Sequence, residues 1–504
     1  MVEKIRKRNG EIVTFDPKKI REAIYKASKA VADETISARM LTSLTSKVTG
    51  RFSDEDVPTV EQVQDRVEEA LIAAGFAKTA KAYILYRAEH TKIRQSEASL
   101  MDIYKELTFA YAKDADIKRE NANIDADTAM GTMLKYGSEG SKYFIDNYIL
   151  PKDIATAHIN GDIHIHDKDF YMLTETCCQI DLLKLFKNGF STGHGYLREP
   201  NSIISYSALA CIAIQANQNE MHGGQSIPNF DYSMAPGVAK TFIKEYFKAL
   251  AQYLCFKLDM SLSDATELSK AIKNSLPAKP SIGDADHFGK VLVEWLPEHQ
   301  RKNGFQPIST DIAAHAHRHA LETALAETDR STYQAMEAFI HNLNTMNSRA
   351  GAQVPFSSVN YGTDCSPEAR MVVRNLLLAT KAGLGNGETP IFPVQIFKVK
   401  EGLNYNPGDP NYALFKPAME TSAMRLFPNF SFIDAPFNLQ YYRPGDYDTE
   451  IAYMGCRTRV MGNHYDPSRE VTCGRGNLTF PCVNLPCIAI EAKGDIKKFY
   501  DLLD

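Results

Sequence analysis

One stretch decides how the rest of the chain is interpreted: Ala452-Tyr453-Met454-Gly455-Cys456-Arg457-Thr458-Arg459-Val460. Cys456 follows a glycine and precedes residues typical of a strand, which predicts a thiol at the tip of a tight, finger-like loop. Asn477 follows twenty-one positions later, in Gly474-Arg475-Gly476-Asn477-Leu478-Thr479-Phe480. We therefore ask whether the remaining sequence could build a site around a thiol held in this way.

The composition is that of a globular protein. The 504 residues are 44% hydrophobic and 24% charged, with a net charge of −5. This balance does not indicate binding to nucleic acid or to an anionic membrane, and no apolar run is long enough to cross a bilayer. Residues 1–6 lack the apolar stretch of a secretory signal, and the nine cysteines do not form a disulfide framework. We expect a cytoplasmic protein whose cysteines pack in the core or do chemistry.

Residues 1–95 have the pattern of a small separate domain. Alternating residues flank Asn9-Gly10, a dipeptide that favours a tight hairpin turn. Asp16 and Pro17 predict the start of a helix, and Thr59 with Gln62 predicts a capping box at the start of another. We therefore expect a mostly helical module that begins with a β-hairpin.

From about residue 96 the pattern changes to long helices that alternate with short apolar runs. Residues 238–258 and 311–347 have helical patterns, whereas 354–360 and 390–397 are typical of short buried strands. Such strands between long helices predict an α/β architecture for residues 96–504, of which a barrel is one form. The number of strands does not follow from the pattern.

A cluster of basic residues marks the N-terminal hairpin. Lys4-Ile5-Arg6-Lys7-Arg8-Asn9-Gly10 places four positive charges beside the turn and shortly before a helix. Clustered cations and free backbone N–H groups are what a triphosphate requires. On charge alone, a solvated basic hairpin is the simpler alternative. Together with Phe15, Asp16-Pro17 and Lys18, however, the string resembles the ATP-cone, a regulatory module of ribonucleotide reductases.

The ATP-cone resemblance implies an adenine-nucleotide site, with ATP as an activator and dATP as an inhibitor. By position, it implies effector contacts from the hairpin, the following helix and the end of the module: Arg6, Lys7, Arg8, Gly10, Lys18, Tyr86, Arg87 and Lys92.

The cysteine loop and two further segments resemble anaerobic, glycyl-radical ribonucleotide reductases. In that family a His-x-His-Asp segment precedes a cysteine, as Gly161-Asp162-Ile163-His164-Ile165-His166-Asp167 here precedes Thr176-Cys177-Cys178-Gln179-Ile180-Asp181. The resemblance implies that Cys456 becomes a thiyl radical, that Cys177 is the second catalytic thiol, and that Asn477 positions the sugar or the reductant. Cys178 stays an alternative to Cys177, because a one-residue shift of the alignment would exchange them.

Radical chemistry explains why these residue types are needed. A ribose 2′-hydroxyl leaves slowly by ionic routes, and removal of the 3′-hydrogen makes it far easier to lose as water. S–H and ribose C–H bonds are similar in strength, so a thiyl radical can remove that hydrogen reversibly. A thiol on the other face can then protonate the leaving group, while an amide holds the hydroxyls.

Four residues are weaker candidates for substrate binding: His164, His166, Gly223 and Gly224. The two glycines lie in Met221-His222-Gly223-Gly224-Gln225-Ser226, where paired glycines could let the backbone approach a phosphate. A plain loop is an equal alternative for this segment.

Two other classes of protein stay open. His164 and His166 fit a zinc-dependent hydrolase, with His315 and His319 as further ligands, although a polar helix face explains the latter pair more simply. A non-catalytic nucleotide-binding regulator would use only residues 1–95.

The reductase resemblance also implies an architecture, small molecules and partners. It implies a ten-stranded α/β barrel of two half-barrels around the cysteine finger, and ribonucleoside triphosphates as substrates. It further implies formate as reductant, Mg²⁺ with the nucleotides, dNTP specificity effectors, and a homodimer or larger homo-oligomer.

The same resemblance implies a C-terminal region with zinc-binding Cys-x-x-Cys pairs and a glycyl radical, which a radical-SAM iron–sulfur activating enzyme generates. This sequence reaches Asp504 without a Cys-x-x-Cys pair. We therefore expect no metal site in these residues and no turnover from them alone.

Overall fold

The computed structural model describes most of the chain. Its described residues are 2–504 apart from 8–9, 32–33, 54–56, 110–127, 303–307, 349–352, 456–457, 461–462, 464–465, 467 and 469–471. At 89–90, 92–99 and 298–302 only the backbone is described. Two predicted site residues, Arg8 and Cys456, therefore lie outside the described residues, and only the backbone of Lys92 is described.

The chain divides into two compact units, Met1–Phe109 and Ala110–Asp504. The first unit consists of strands β1 (Lys4–Arg6) and β2 (Ile12–Thr14) and helices α1 (Pro17–Lys29), α2 (Ala38–Thr49), α3 (Val60–Ala73) and α4 (Ala77–Phe109). The predicted domain boundary at residue 95 stays a prediction, and helix α4 continues through it.

Local sequence signals specify the hairpin and the helix starts of the first unit. Strands β1 and β2 pair in antiparallel fashion, with Lys4 opposite Thr14. Asp16 caps α1 by accepting a hydrogen bond from the Lys18 N–H, and Thr59 forms a capping box with Gln62 at the start of α3. The apolar faces of the helices enclose one core that includes the fully buried Ile24, Val48 and Leu71. The predicted hairpin and caps are confirmed.

Long helices dominate the second unit. Its helices are α5 (Ala129–Phe144), α6 (Lys152–Asn160), α7 (Leu182–Asn188), α8 (Ile203–Glu220), α9 (Phe230–Lys257), α10 (Leu262–Ser275), α11 (Ala285–Lys302), α12 (Thr310–Thr345), α13 (Pro367–Ala382), α14 (Tyr412–Arg425), α15 (Pro436–Leu439), α16 (Leu485–Ala492) and α17 (Ile496–Leu503). A π-helical turn (Ile145–Ile149) and two 3₁₀ turns (Lys168–Phe170 and Tyr447–Thr449) complete them. None of the described helices combines the length and apolar character needed to cross a lipid bilayer.

The strands of this unit are short. They are β3 (Ile163–His166), β4 (Cys177–Gln179), β5 (Phe190–Ser191), β6 (Tyr196–Leu197), β7 (Gln225–Ile227), β8 (Ser357–Tyr361), β9 (Val394–Val399), β10 (Asn429–Phe432), β11 (Ala452–Met454), β12 (Thr458–Val460), β13 (Gly476–Asn477) and β14 (Phe480–Val483). Pairs β3–β14, β5–β6 and β11–β12 form two-stranded antiparallel sheets.

The main sheet has six strands in the order β10-β9-β8-β7-β4-β13. The first five are parallel, and β13 is antiparallel to β4. The helices that connect successive parallel strands cover one face of the main sheet, which we call the outer face. Together they form a core around Ile227, Val359 and Phe397. The α/β prediction is confirmed. Within the described residues the sheet is open and six-stranded, so the ten-stranded barrel of two half-barrels stays a prediction.

Candidate active site

A cavity of about 500 Å³ lies at the amino-terminal edge of the parallel strands. Gly224, Phe356 and Phe392 line it, and each of them lies just before a parallel strand begins. Cys177, the first residue of β4, also lines it, as does Asn477 of β13. The cavity therefore brings together residues from segments that are up to 300 positions apart in the chain.

Cys177 and Asn477 lie directly opposite each other on neighbouring antiparallel strands. Residues opposite each other in such a pair point to the same face of the sheet. The Cys177 Sγ accepts a hydrogen bond from the Gly224 N–H at 3.2 Å. The predicted thiol, amide and paired-glycine segment thus form one wall of the cavity.

The first of the paired glycines makes this close approach possible. Gly223 has a φ of +84°, and a Cβ atom there would lie 1.4 Å from the carbonyl oxygen of Thr176. A Cβ on Gly224 would lie 3.7 Å from the Cys177 Sγ and 3.5 Å from the Gly455 nitrogen. Only a residue without a side chain fits at position 223, and position 224 lies between Cys177 and the cysteine loop.

Cys178, the alternative second thiol, lies in a different environment. Its Sγ is buried between Asn217 Nδ2, at 2.8 Å, and Gln225 Oε1, at 3.2 Å. Burial raises the pKa of this thiol to about 12. Because side chains alternate along a strand, Cys177 faces the cavity whereas Cys178 faces away from it. This geometry favours Cys177 as the second thiol, and its catalytic role stays a prediction.

The cysteine loop joins β11 to β12, which pair in antiparallel fashion with Met454 opposite Thr458. Cys456 itself lies outside the described residues. Gly455 and Thr458, on either side of the gap at 456–457, both line the cavity. The Asn477 Nδ2 lies 3.5 Å from the Thr458 Oγ1, so this amide adjoins the loop as well as Cys177.

A histidine–aspartate group forms another part of the wall. Asp167 Oδ1 lies 3.0 Å from His222 Nε2, and Asp167 Oδ2 lies 3.4 Å from His166 Nε2. Burial acts to raise the pKa of Asp167, but the hydrogen bond and charge of His222, with help from His166, lower it overall. His166, Asp167 and His222 all line the cavity. His164 occupies the same strand, opposite Cys482 of β14.

The sequence prediction missed Asp167 and His222 as site residues. Both belong to quoted segments, but the 55 positions that separate them conceal their contact. The His222 ring also stacks on Phe170, with 3.9 Å between ring centroids. A carboxylate directly after two histidines was the one signal that could have identified Asp167.

The predicted effector residues fall into two groups. On the hairpin, Arg6 and Gly10 are exposed, and Lys7 forms an ion pair with Glu11 at 2.9 Å. Lys18 is exposed in the first turn of α1. At the other end, Tyr86 is 60% exposed on α4.

Arg87 has protein partners already. It forms ion pairs with Asp65 at 2.5 Å and with Glu68 at 2.9 Å. These contacts raise the pKa of Arg87 against the opposing effect of burial. The structure therefore shows Arg87 bridging α4 to α3, and its role toward a nucleotide stays a prediction.

The described residues do not support the hydrolase alternative. They contain no group of three or more His, Cys, Asp or Glu side chains placed to hold one metal ion. His315, one proposed ligand, makes a hydrogen bond to the Asp311 carbonyl within its own helix. The His319 ring lies 5.4 Å from that of Tyr253.

Comparison with known proteins gives matches over the whole chain. The reductase from Escherichia coli named "Anaerobic ribonucleoside-triphosphate reductase" is 26% identical over 508 residues, covering 100% of this chain and 61% of its own length. The Salmonella typhimurium protein of the same name is 27% identical over 510 residues, with the same coverage. The chain thus spans about three-fifths of the length of these curated relatives.

Two further comparisons are narrower. The "Vitamin B12-dependent ribonucleoside-diphosphate reductase" of Thermoplasma acidophilum is 38% identical over 112 residues, which is 21% of this chain and 14% of that protein. A crystal structure of the anaerobic ribonucleotide reductase from Thermotoga maritima with dATP and CTP covers 82% of this chain and 59% of its own. At 13% identity, its TM-score of 0.46 is too low to assign a fold.

Two family patterns match in the order that the sequence analysis predicted. The ATP cone domain matches residues 3–92, the part of the first unit that holds the basic hairpin. The family described as anaerobic ribonucleoside-triphosphate reductase matches residues 120–504, which contain Cys177, Asn477 and the cavity between them. With this match over most of its length, the chain belongs to the anaerobic ribonucleoside-triphosphate reductase family.

Proposed function

We propose that the protein of which these residues are part converts ribonucleoside triphosphates to 2′-deoxyribonucleoside triphosphates by radical chemistry. One observation carries the proposal: Cys177 and Asn477 lie side by side on a cavity that Gly455 and Thr458, the residues flanking the cysteine-loop gap, also line. A cavity of about 500 Å³ is within the usual range for a small-molecule site.

In this mechanism each residue has one task. The Cys456 thiyl radical takes the 3′-hydrogen atom from the ribose and later returns it. Cys177 gives a proton to the leaving 2′-hydroxyl, which departs as water, while Asn477 holds the sugar or the reductant. Formate is oxidised to carbon dioxide and supplies two electrons and one proton, and solvent supplies a second proton. One proton restores the Cys177 thiol, and the other, with the two electrons, becomes the new hydrogen at C2′. The balance is one water and one carbon dioxide per deoxynucleotide.

Other components belong to the proposal by family membership. Mg²⁺ would accompany the nucleotides, and His164, His166, Gly223 and Gly224 would contact substrate. The 504 residues carry no Cys-x-x-Cys pair, so they do not fit a zinc ion of the family type. We assign the zinc, the glycyl radical and the radical-SAM activating enzyme that forms it to parts outside these residues. A cytoplasmic homo-oligomer, with dNTP specificity effectors, completes the proposal.

The catalytic proposal is tested with the full-length gene product, activated under anaerobic conditions. Deoxynucleotide formation should fall below detection in Cys456→Ala and Cys177→Ala, while Cys178→Ala and the exposed-cysteine control Cys487→Ala retain it. Turnover by Cys456→Ala at the wild-type rate would remove that thiol from the mechanism.

The regulatory proposal is that Arg6, Lys7, Arg8, Gly10 and Lys18 bind ATP or dATP, with weaker contributions from Tyr86, Arg87 and Lys92. Calorimetric titration of the 504-residue chain tests it without any turnover. Lys18→Ala should weaken dATP binding at least tenfold, whereas Lys26→Ala, at the opposite end of the same helix, should leave it unchanged. Equal affinities would contradict the assignment.

A further inference from the structure

The strand that leads to the cysteine loop crosses the inner face of the main sheet, where it packs against β4, β7 and β8. Among the described residues, side chains of the sheet make the hydrogen bonds that hold it there. The Asn360 Oδ1 accepts a hydrogen bond from the Tyr453 N–H at 2.8 Å, and its Nδ2 donates to the Tyr453 carbonyl at 3.0 Å. Ser226 Oγ donates to the same carbonyl at 2.7 Å.

Two more hydrogen bonds between the sheet and the loop strand lie on either side of these contacts. Toward the cavity, the Gly455 N–H donates to Ser358 Oγ at 3.0 Å. Toward the opposite edge of the sheet, Thr363 Oγ1 donates to Glu450 Oε2 at 2.7 Å. We call Ser358, Asn360 and Thr363 the polar ladder.

The spacing of the ladder defines a register. Along β8 and the two residues that follow it, the contacts step from 358 to 360 to 363, and along the loop strand they step back from 455 to 453 to 450. The loop strand therefore lies antiparallel over β8, held at matched positions. Strand β8 is fully buried, and polar residues on such a strand are costly unless they are satisfied. The loop strand supplies hydrogen-bond partners to two of them, Ser358 and Asn360.

Of the three residues of the polar ladder, Asn360 depends most strictly on the register of the loop strand. The N–H and C=O groups of one residue in an extended strand point to the same side, and those of its neighbours point to the opposite side. A shift of the loop strand by one residue would therefore withdraw both groups from Asn360. A shift by two residues would move Gly455 by roughly 6–7 Å, away from Ser358.

We propose that Asn360 is the positioning residue that sets the register of the strand leading to the cysteine loop, and so the place of Gly455 at the cavity wall, with Ser358 as its support. This inference rests on the proposed role of Cys456, although the ladder itself can be measured independently. Asn360 and Ser358 act through the backbone of the loop, and we assign them no contact with substrate.

Hydrogen exchange of the 504-residue chain tests the ladder without turnover. In Asn360→Leu the Tyr453 amide should exchange at least tenfold faster, and in Ser358→Ala the Gly455 amide should do so. The matched control is Gln395→Leu, which removes a buried amide from β9 that bonds Tyr361 and Thr380 but not the loop. Exchange at Tyr453 should stay within twofold of wild type in that control.

Steady-state kinetics of the activated full-length protein test the consequence. Asn360→Leu and Ser358→Ala should lower kcat at least tenfold and threefold, respectively, with the substrate KM within twofold, while Gln395→Leu changes neither. Unchanged exchange at Tyr453, or faster exchange with wild-type kcat, would overturn the proposal. If Asn360→Leu does not fold, Ser358→Ala decides the matter on the same criteria. Turnover by Cys456→Ala would instead refute the proposed function and leave the exchange result standing.

Discussion

Adjacent cysteines in this protein have opposite surroundings. The Cys177 thiol lines the cavity and accepts one backbone hydrogen bond, whereas the Cys178 thiol is buried against Asn217 and Gln225. The thiolate is the reactive form of cysteine, and a thiol that burial keeps protonated reacts slowly.

We expect alkylation to distinguish the two thiols. With a pKa of about 12, Cys178 is ionised in roughly one molecule in ten thousand at pH 8. Iodoacetamide should therefore modify Cys177 at least tenfold faster than Cys178 in the native, reduced protein, as measured by fragmentation mass spectrometry of the shared peptide. The Cys178 rate should still be rising between pH 8 and pH 10. Equal rates in native protein would contradict the assigned environments.

Asp167 should make a pH-dependent contribution to stability. Its folded pKa is lowered, chiefly by the hydrogen bond from His222 against the effect of burial, so its carboxylate favours the folded state. That contribution is present above the unfolded pKa, near 3.9, and is lost as the pH falls through the lower folded value. Asp167→Asn should cost about 1–3 kcal/mol at pH 7. The difference from wild type in urea unfolding should persist to about pH 4 and shrink below it, whereas a constant difference down to pH 2 would refute the explanation.

At the scale of elements, local signals were predictable and distant pairings were not. Asp16, Pro17, Thr59 and Gln62 specify helix starts through contacts within three residues, and these predictions are confirmed. The helix predicted at 238–258 begins earlier, at Phe230, and Pro236 lies inside it. The contact between Ser226 and Tyr453 spans 227 positions, which no local pattern encodes.

A buried ion pair fastens the base of the cysteine loop to the sheet. Lys398 Nζ lies 2.6 Å from Glu450 Oε2, with both side chains almost inaccessible to water. Burial raises the pKa of Glu450, and the charge of Lys398 opposes that effect. Removing one partner should leave an uncompensated buried charge.

Lys398→Met should therefore destabilise the second unit by about 3–5 kcal/mol. The double variant Lys398→Met/Glu450→Gln should recover part of this loss, as measured by a double-mutant cycle in urea. The matched control is the exposed pair Lys381–Glu420, where Lys381→Met should cost less than about 1 kcal/mol. Equal losses at both pairs would show that burial does not govern the strength of this contact.

At the scale of the molecule, each unit has its own hydrophobic core. The core of the first unit draws on the hairpin and all four of its helices, from Val2 to Tyr83. A unit with a continuous core of its own can fold separately.

We therefore expect residues 1–109, expressed alone, to unfold cooperatively and to bind dATP with the affinity of the 504-residue chain. Thermal unfolding followed by circular dichroism, with and without the nucleotide, measures both properties. Ile24→Ala, at a fully buried position, should lower the midpoint, whereas Lys26→Ala should not. A non-cooperative transition would show that this unit depends on the rest of the chain.

Because Cys177 lies opposite Asn477 on the neighbouring strand, insertions and deletions in these two strands should be selected against during evolution. A single codon inserted between Cys177 and Gln179 would reverse the face of Cys177 relative to Gln179, and one inserted between Gly476 and Asn477 would reverse the face of Asn477 relative to Gly476. The thiol and the amide would then no longer meet. Length changes among descendants should therefore collect in turns such as 192–195, while these two short strands keep a constant number of residues.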